Sequence, residues 1–347
     1  MRHADLLRIF ALAACALCLL VVVLGAYVRL SDAGLGCPDW PGCYGHFTPA
    51  GAAAELGSGT HGAAAAAAAA RPLELGKAWR EMVHRYAAGS VGFLIVCLTA
   101  MAAVWRRERI VSLALVVALL AIVVLQGTLG MLTVTWQLTP LIVTLHLLFG
   151  LTTLSLLWWL VLSLRRGRSG AWEVHGAARA ASPDARGARA LALIGLLALA
   201  AQITLGGWTS SNYAALACPD LPTCQGRWWP SADFHAGFVL WRGAGIHYDG
   251  GVLANPARVA IQLAHRIGAL ATSAALLAAA LGTLRLRRAR PARRAAVLVL
   301  LMLATQLAIG TAMVLRGFPL WLATAHNAGA ALLLLAALTL NRSLRLA

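Results

Sequence analysis

The stretch "GLGCPDWPGCYG", residues 34–45, returns as "ALACPDLPTCQG" at residues 215–226. Both read C-P-D-x-P-x-C, so Cys37 and Cys43 correspond to Cys218 and Cys224. Self-similarity at a fixed offset is the mark of a repeated unit. The offset is 181 residues at Cys37/Cys218 and His84/His265, and 180 at Gln126/Gln306 and His146/His326. A register that drifts by one residue across four helices identifies a duplication of half the chain, not a recurring loop motif.

Between the repeated markers the chain is apolar. Its 347 residues are 60% hydrophobic and only 12% charged, with a mean hydropathy of +0.76, which places it among integral membrane proteins. A helix needs about 20 apolar residues to cross a bilayer. Eight runs reach that length: 9–29, 82–105, 110–131, 140–164, 189–209, 258–284, 295–315 and 319–340. They are predicted as helices, because open strand edges cannot be satisfied in lipid. The first run resembles a signal peptide, and "LAAC" at 12–15 mimics a lipoprotein cleavage box. Apolar residues continue to Val28, too far for an ordinary cleaved segment, so the run is kept as the first helix.

An even number of helices per half means that both halves enter the membrane in the same sense. The expected fold is therefore all-α, with eight transmembrane helices arranged as two tandem, parallel-repeat four-helix bundles. Residues 1–164 form the N-terminal bundle, 165–188 a linker and 189–347 the C-terminal bundle. The net charge of +17 comes from Arg-rich short connections, "RRER", "RRGR", "RLRRARPARR" and "NRSLR". That is the positive-inside pattern, which puts both termini in the cytoplasm and turns connections 30–81 and 210–257 outward. The basic balance reports topology and attraction to anionic lipid, and does not point to nucleic acid.

Disulfides persist on the outward side, which makes Cys37–Cys43 and Cys218–Cys224 candidate disulfides. They read either as loop clips or as a redox relay, and the presence of both pairs favours the clip. Trp40, which faces Leu221 in the repeat, reads as a lid residue or an interface anchor. Cys15 and Cys18 in the first helix read as small apolar residues. The outward insertions, 47–79 and 226–256, carry no predicted fold beyond short helices, the Ala tract at 62–70 included.

Of ten histidines, His3, His46, His61, His175, His235 and His247 lie in tails or loops without a counterpart. The other four, His84, His146, His265 and His326, fall within the first turn or two of even-numbered helices, two per half. A lone intramembrane His is usually an interhelical hydrogen-bond partner, but four at matched depth point to ligation. Zinc or copper would call for a further carboxylate or Cys inside the helices, and none is evident. A haem iron needs only two axial ligands. Gly150, Gly268 and Gly329, one turn after His146, His265 and His326, and Ala87 and Ala88 after His84, offer room for a flat macrocycle or for close helix packing. Arg85 and Arg266 each follow a His in an "HR" dipeptide. They suit haem propionates, or they snorkel to the interface.

The halves differ at Glu81, three residues before His84, whose counterpart is Gln262, three before His265. An unpaired carboxylate at depth costs up to a few kcal/mol, yet one half keeps it. The N-terminal bundle is thus expected to hold a haem that is altered, and the C-terminal one a haem that carries electrons or serves structure. The plainer alternative is that Glu81 pairs with Arg80 or Arg85.

Together "GAYVRLSDAGLGCPDWPGCYG", "EMVHRYAAG", "TPLIVTLHLLFG", "LGGWTSSNYAALACPDLPTC", "AHRIGA" and "ATAHNAGA" resemble the heme A synthase family of cytochrome oxidase assembly. The resemblance spans nearly the whole chain. It implies a membrane oxidoreductase that converts the C8 methyl of haem O to formyl, giving haem A, with haem B as cofactor. It also implies that His84 and His146 frame the substrate, that Glu81 is the essential carboxylate and that His265 and His326 ligate the cofactor haem. Converting methyl to formyl takes two successive two-electron oxidations, in which Glu81 stabilises positive charge at the methyl carbon or acts as base toward water. The partners implied are a haem O synthase, the oxidase assembly machinery and the lipid of a bacterial cytoplasmic (inner) membrane. Homo-oligomerisation stays open. A rival reading is a di-haem b-type electron-transfer protein, which the Glu81/Gln262 asymmetry weakens. A parallel-repeat transporter is weakened by the lack of Gly/Pro-broken helices.

Overall fold

The computed structural model describes residues 3–59, 62–108, 110–164, 183–243, 245–286 and 289–345. Its α-helices in chain order are α1 (His3–Leu30), α2 (Pro49–Gly57), α3 (Ala63–Ala70), α4 (Leu75–Val104), α5 (Leu113–Thr135) and α6 (Pro140–Ser163), then α7 (Pro183–Ser211), α8 (Phe234–Gly237), α9 (Asn255–Leu284), α10 (Arg290–Leu315) and α11 (Leu320–Arg345). Eight of them, all but α2, α3 and α8, are long and apolar enough to cross a membrane. The protein is all-helical and multi-pass. The predicted linker lies outside the described residues up to residue 182, and its last residues open α7.

Proline in the first turn starts α6, α9 and α10, where its missing N–H costs nothing. Several helices outrun their apolar stretches. The helix α4 begins at Leu75, not near 82, because "LGKAWRE" is polar yet rich in helix formers. Hydropathy marks where lipid contact starts, and the helix projects beyond it. As a result His84 and His265 lie nine and ten residues into α4 and α9, deeper in their helices than the first turn or two. His146 and His326 lie six residues into α6 and α11.

Within the first half α1 packs on α4 and α6, and α5 on α4 and α6; within the second α7 packs on α9 and α11, and α10 on α9 and α11. The halves meet where α1 contacts α11 and α6 contacts α7 and α11. One apolar core, including Leu7, Ile95, Leu154, Leu276 and Leu340, runs through both. Cys15 and Cys18 are free thiols buried in it, in line with their reading as small apolar residues. Two side-chain contacts also join the halves, the second of them between repeat counterparts 181 positions apart. Trp158 Nε1 donates to Thr339 Oγ1 at 2.9 Å, and Arg29 to the Ser210 carbonyl at 3.0 Å.

Both cysteine pairs form disulfides. The motif aspartate shapes each loop. Asp39 accepts hydrogen bonds from the Tyr44 and Gly45 amides at 2.6 and 2.9 Å, and Asp220 from those of Gln225 and Gly226 at 2.6 and 3.0 Å. These bonds hold Tyr44 and Gln225 at φ of 54° and 55°, a left-handed conformation unfavourable without such support. Both loops also contain a cis X-Pro bond, Trp40–Pro41 and Leu221–Pro222.

The first insertion folds as the α2–α3 hairpin over its Cys loop, burying Tyr44, Ala52, Ala64 and Met82 together. Glu55 ties the hairpin shut, bonding His46 Nε2 at 2.7 Å and accepting from the Ala64 amide at 2.9 Å. The hydrogen bond from His46, followed by those from the α3 amides, holds the Glu55 carboxyl below the usual carboxylate range. A depressed folded value means that this contribution is present above the ordinary carboxylate pKa and is lost as pH falls through the folded one. Glu55→Gln should therefore speed hydrogen exchange of the α3 amides several-fold at neutral pH, and acidification should do the same to the unaltered protein, with α4 unaffected. The second insertion crosses to the first half. Tyr248 and Ile246 pack with Leu35, Val134 and Leu138, and Asp249 pairs with Arg71 at 3.3 Å while accepting from the Tyr213 hydroxyl at 3.0 Å.

Candidate active site

The four repeated histidines share one local setting. Each ring lies against a glycine of the preceding spanning helix. A Cβ built on Gly25, Gly130, Gly206 or Gly310 would stand 2.9, 3.3, 3.2 or 3.0 Å from Cε1 of His84, His146, His265 or His326, respectively. Any larger residue would push the ring away. These glycines escaped the sequence reading, although their offsets of 181 and 180 carry the same repeat signal as the histidines. Within each half the two histidines stand on helices that share both neighbours, His84 on α4 and His146 on α6 packing on α1 and α5, and His265 on α9 and His326 on α11 packing on α7 and α10.

Three histidines are also held by a glutamine. The Nε2 amides of Gln126, Gln202 and Gln306 donate to the main-chain carbonyls of His146, His265 and His326 at 2.8, 3.0 and 3.0 Å, and lie alongside their rings. The glycines expected to make room for a macrocycle, Gly150, Gly268 and Gly329, instead accommodate these glutamines. A small residue one turn beyond a histidine faces the neighbouring helix, and a long side chain from that helix fills the gap.

Glu81 is 4% exposed. Its Oε2 accepts the Cys37 amide at 2.9 Å, and its Oε1 pairs with the Arg85 guanidinium. The partner is thus Arg85, inside the fold; Arg80 instead lies 5.9 Å from the Tyr27 ring. The Cys37 amide can reach α4 because Gly36 passes so close that a Cβ there would stand 2.7 Å from the Lys77 main chain. Arg85 also donates to the carbonyls of Asp39, Pro41 and Gly42 at 2.9, 3.2 and 2.6 Å. In the second half Arg266 donates likewise to those of Thr223, Cys218 and Asp220 at 2.8, 2.9 and 2.9 Å. Each arginine therefore staples a Cys loop onto the helix that bears the histidine. Gln262, buried in the place of Glu81, leaves its Oε1 without a hydrogen-bond partner among the described residues.

The remaining histidines do not join the site. His46 bonds Glu55; His3 belongs to α1 and not to a tail, bonding Glu108 at 2.6 Å and stacking on Trp105. His235 sits in α8 and His247 in the second insertion. His61 and His175 fall outside the described residues.

The donor set suits a haem. Among the described residues no group of three or more His, Cys, Asp or Glu could hold a bare ion, so a zinc or copper reading lacks its further ligands. Two imidazoles per half meet what a haem iron requires. The Nδ1 atoms of His84 and His146 are buried without a hydrogen-bond partner among the described residues, and such orphaned atoms in native interiors call for a missing partner.

Eight spanning helices and two couples of half-buried imidazoles, each below a disulfide loop, define a multi-pass membrane protein built around paired intramembrane histidines. Residues 8–338 match the COX15-CtaA model, described as cytochrome oxidase assembly protein, and the chain belongs to that family. A heme A synthase of Shewanella oneidensis is 42% identical over 323 residues, covering 93% of this chain and 92% of that protein. One of Rhizorhabdus wittichii is 30% identical over 334 residues, 92% and 88% of the two chains. One of Halalkalibacterium halodurans is 25% identical over 315 residues, 88% and 86%.

Proposed function

We propose that this protein is a heme A synthase, an oxidoreductase that converts the C8 methyl of haem O to a formyl group and so supplies haem A for cytochrome oxidase. The observation that carries this reading is the 42% identity to a heme A synthase over 93% of the chain. Within it, His84 and His146 hold haem O and His265 and His326 hold haem B. The cofactor haem, when bound, supplies a one-electron iron couple beside the substrate half. The two rings of four helices are the tandem, parallel-repeat bundles, 1–164 and 189–347. The contact of Arg29 with Ser210, its own counterpart, and that of Trp158 with Thr339, one position past its counterpart Leu338, support a two-fold relation, since a residue meets its counterpart only near the axis between them.

Glu81 is the reactive carboxylate. Arg85 and the Cys37 amide keep it from swinging, so its charge is aimed in advance and costs no reorganisation during reaction. Set three residues before His84 on one helix face, it faces developing positive charge at the methyl carbon or takes a proton from water. Gln262 fills the same place without charge, which suits a half that keeps its haem unaltered. The disulfides act as clips, because Arg85 and Arg266 bind the loop carbonyls that the clips shape. A propionate is left the buried Nε of Arg266, which has no hydrogen-bond partner among the described residues. The protein lies in a bacterial cytoplasmic membrane with both termini cytoplasmic, and receives haem O from the synthase that makes it.

Haem extracted from membranes containing this protein and a source of haem O tests the reading. A new formyl-bearing haem is expected. Haem B alone, at roughly two per chain, would make the protein an electron carrier and overturn it.

A further inference from the structure

The two halves differ a second time, at the end of the spans opposite the disulfide loops. The stretch "RLRRARPARR", residues 285–294, holds six arginines and no acidic residue. It joins α9 to α10, and Leu284, the last residue of α9, lies nineteen residues beyond His265, about 28 Å along the helix at 1.5 Å per residue. A cleft of about 360 Å³ opens there, lined by Leu284, Arg290, Arg293, Arg294 and Val297. We infer that this cleft binds an anionic phospholipid bearing two phosphates, its headgroup on the arginines and its acyl chains on the apolar flank. The inference is independent of the haem assignment.

Arg290, Arg293, Arg294 and Val297 fall at i, i+3, i+4 and i+7 of α10, on one face of the helix. Like charges at these spacings repel. No acidic residue stands in the first turn of α10, and none of the three arginines forms an ion pair with another described residue. All three are exposed. An anion gripped by several guanidinium groups together relieves that repulsion, and their planar forks match phosphate oxygens. The apolar members separate a lipid from a dissolved anion. Val297 is 45% exposed one turn past Arg293, and Leu284 adds a second apolar wall from α9. A free phosphate gains nothing from such walls, whereas a lipid headgroup brings acyl chains with it. Three cations exceed what one phosphate neutralises, and basic pockets between spanning helices suit headgroups of higher charge.

The repeat supplies an internal comparison. At the offset of 180 that relates α5 to α10, the counterparts of Arg290, Arg293 and Arg294 are Ile110, Leu113 and Ala114. The first half keeps its basic residues ahead of the helix, in "RRER", where Glu108 bonds His3. Membrane orientation requires arginines only somewhere in the connection. Three on one helix face, beside an apolar wall, are more than orientation needs.

Native mass spectrometry of the purified, delipidated full-length protein in neutral detergent tests this, with cardiolipin, phosphatidylglycerol and inorganic phosphate as probes. Cardiolipin should bind more tightly than phosphatidylglycerol, and a large excess of inorganic phosphate should not displace it. Arg290→Gln, Arg293→Gln and Arg294→Gln together should weaken cardiolipin binding about 100-fold. Arg→Lys at the same three positions, which preserves charge and orientation, should recover most of that loss. Arg106→Gln with Arg107→Gln, which removes two exposed charges at the same end of the first half, should leave binding unchanged. Equal affinity in wild type and the triple Arg→Gln protein, or an equal loss on changing Arg106 and Arg107, would reduce the site to general attraction and overturn it. Equal binding of the two lipids would remove the two-phosphate assignment, and displacement by inorganic phosphate would make the cleft a free-anion site instead.

Discussion

A Glu81→Gln protein retains haem O and makes no more than about one hundredth of the wild-type haem A, the loss expected when one preorganised charge is removed from a transition state. The fold should survive. Breaking a buried pair by neutralising one partner commonly costs about 3–5 kcal/mol, because the other charge is stranded. Here Arg85 keeps three loop carbonyls, and the second half already displays the substituted arrangement, with Gln262 in place and Arg266 satisfied by its own loop. Glu81 also anchors the Cys37 amide, so a purely structural role has to be distinguished. Hydrogen exchange of residues 34–45 and bound haem O, measured on the same preparation, make the distinction. Lost haem A with a protected loop and retained substrate assigns chemistry to Glu81. Loosening of the loop in proportion to lost activity assigns anchoring only, and normal haem A would end the catalytic role.

The second large effect is expected in the other half. His265→Ala or His326→Ala should lower bound haem from roughly two to roughly one per chain, because a bis-imidazole site with one ligand loses its grip on iron. Haem A formation should fall with it. Gly310→Leu should produce the same loss while leaving both histidines in the sequence, since even a Cβ at that position would stand 3.0 Å from His326 Cε1. The helices themselves are held by the shared apolar core, so the variants should still insert and purify. Optical spectra and extracted haem report both results. A Gly310→Leu protein with a full haem complement would show that the ring is not seated against α10.

Much of this was legible beforehand. The eight spans, the disulfide pairs and the four matched histidines follow from composition and from a constant offset, and the structure contains them as long apolar helices, two disulfides and four rings each set against a glycine. Other features were not legible. Gly150, Gly268 and Gly329 looked like space for a macrocycle, but a glutamine from the adjacent helix occupies that space. Arg85 and Arg266 looked like propionate partners, and their guanidinium groups bind loop carbonyls supplied more than 40 residues earlier in the chain. Asp39 and Asp220 stood in the motif without a role until the turns they hold became visible.

The sequence by itself determined which segments enter lipid, how many there are and that they come in two matched sets, because transfer into hydrocarbon depends on the composition of each segment alone. Only the tertiary structure decided which polar groups meet. That choice depends on how each helix is rotated about its axis and how closely its neighbour approaches, and hydropathy is blind to both. Hence Gln126 and His146 could be counted in the chain, but only the packing of α5 against α6 made one the support of the other.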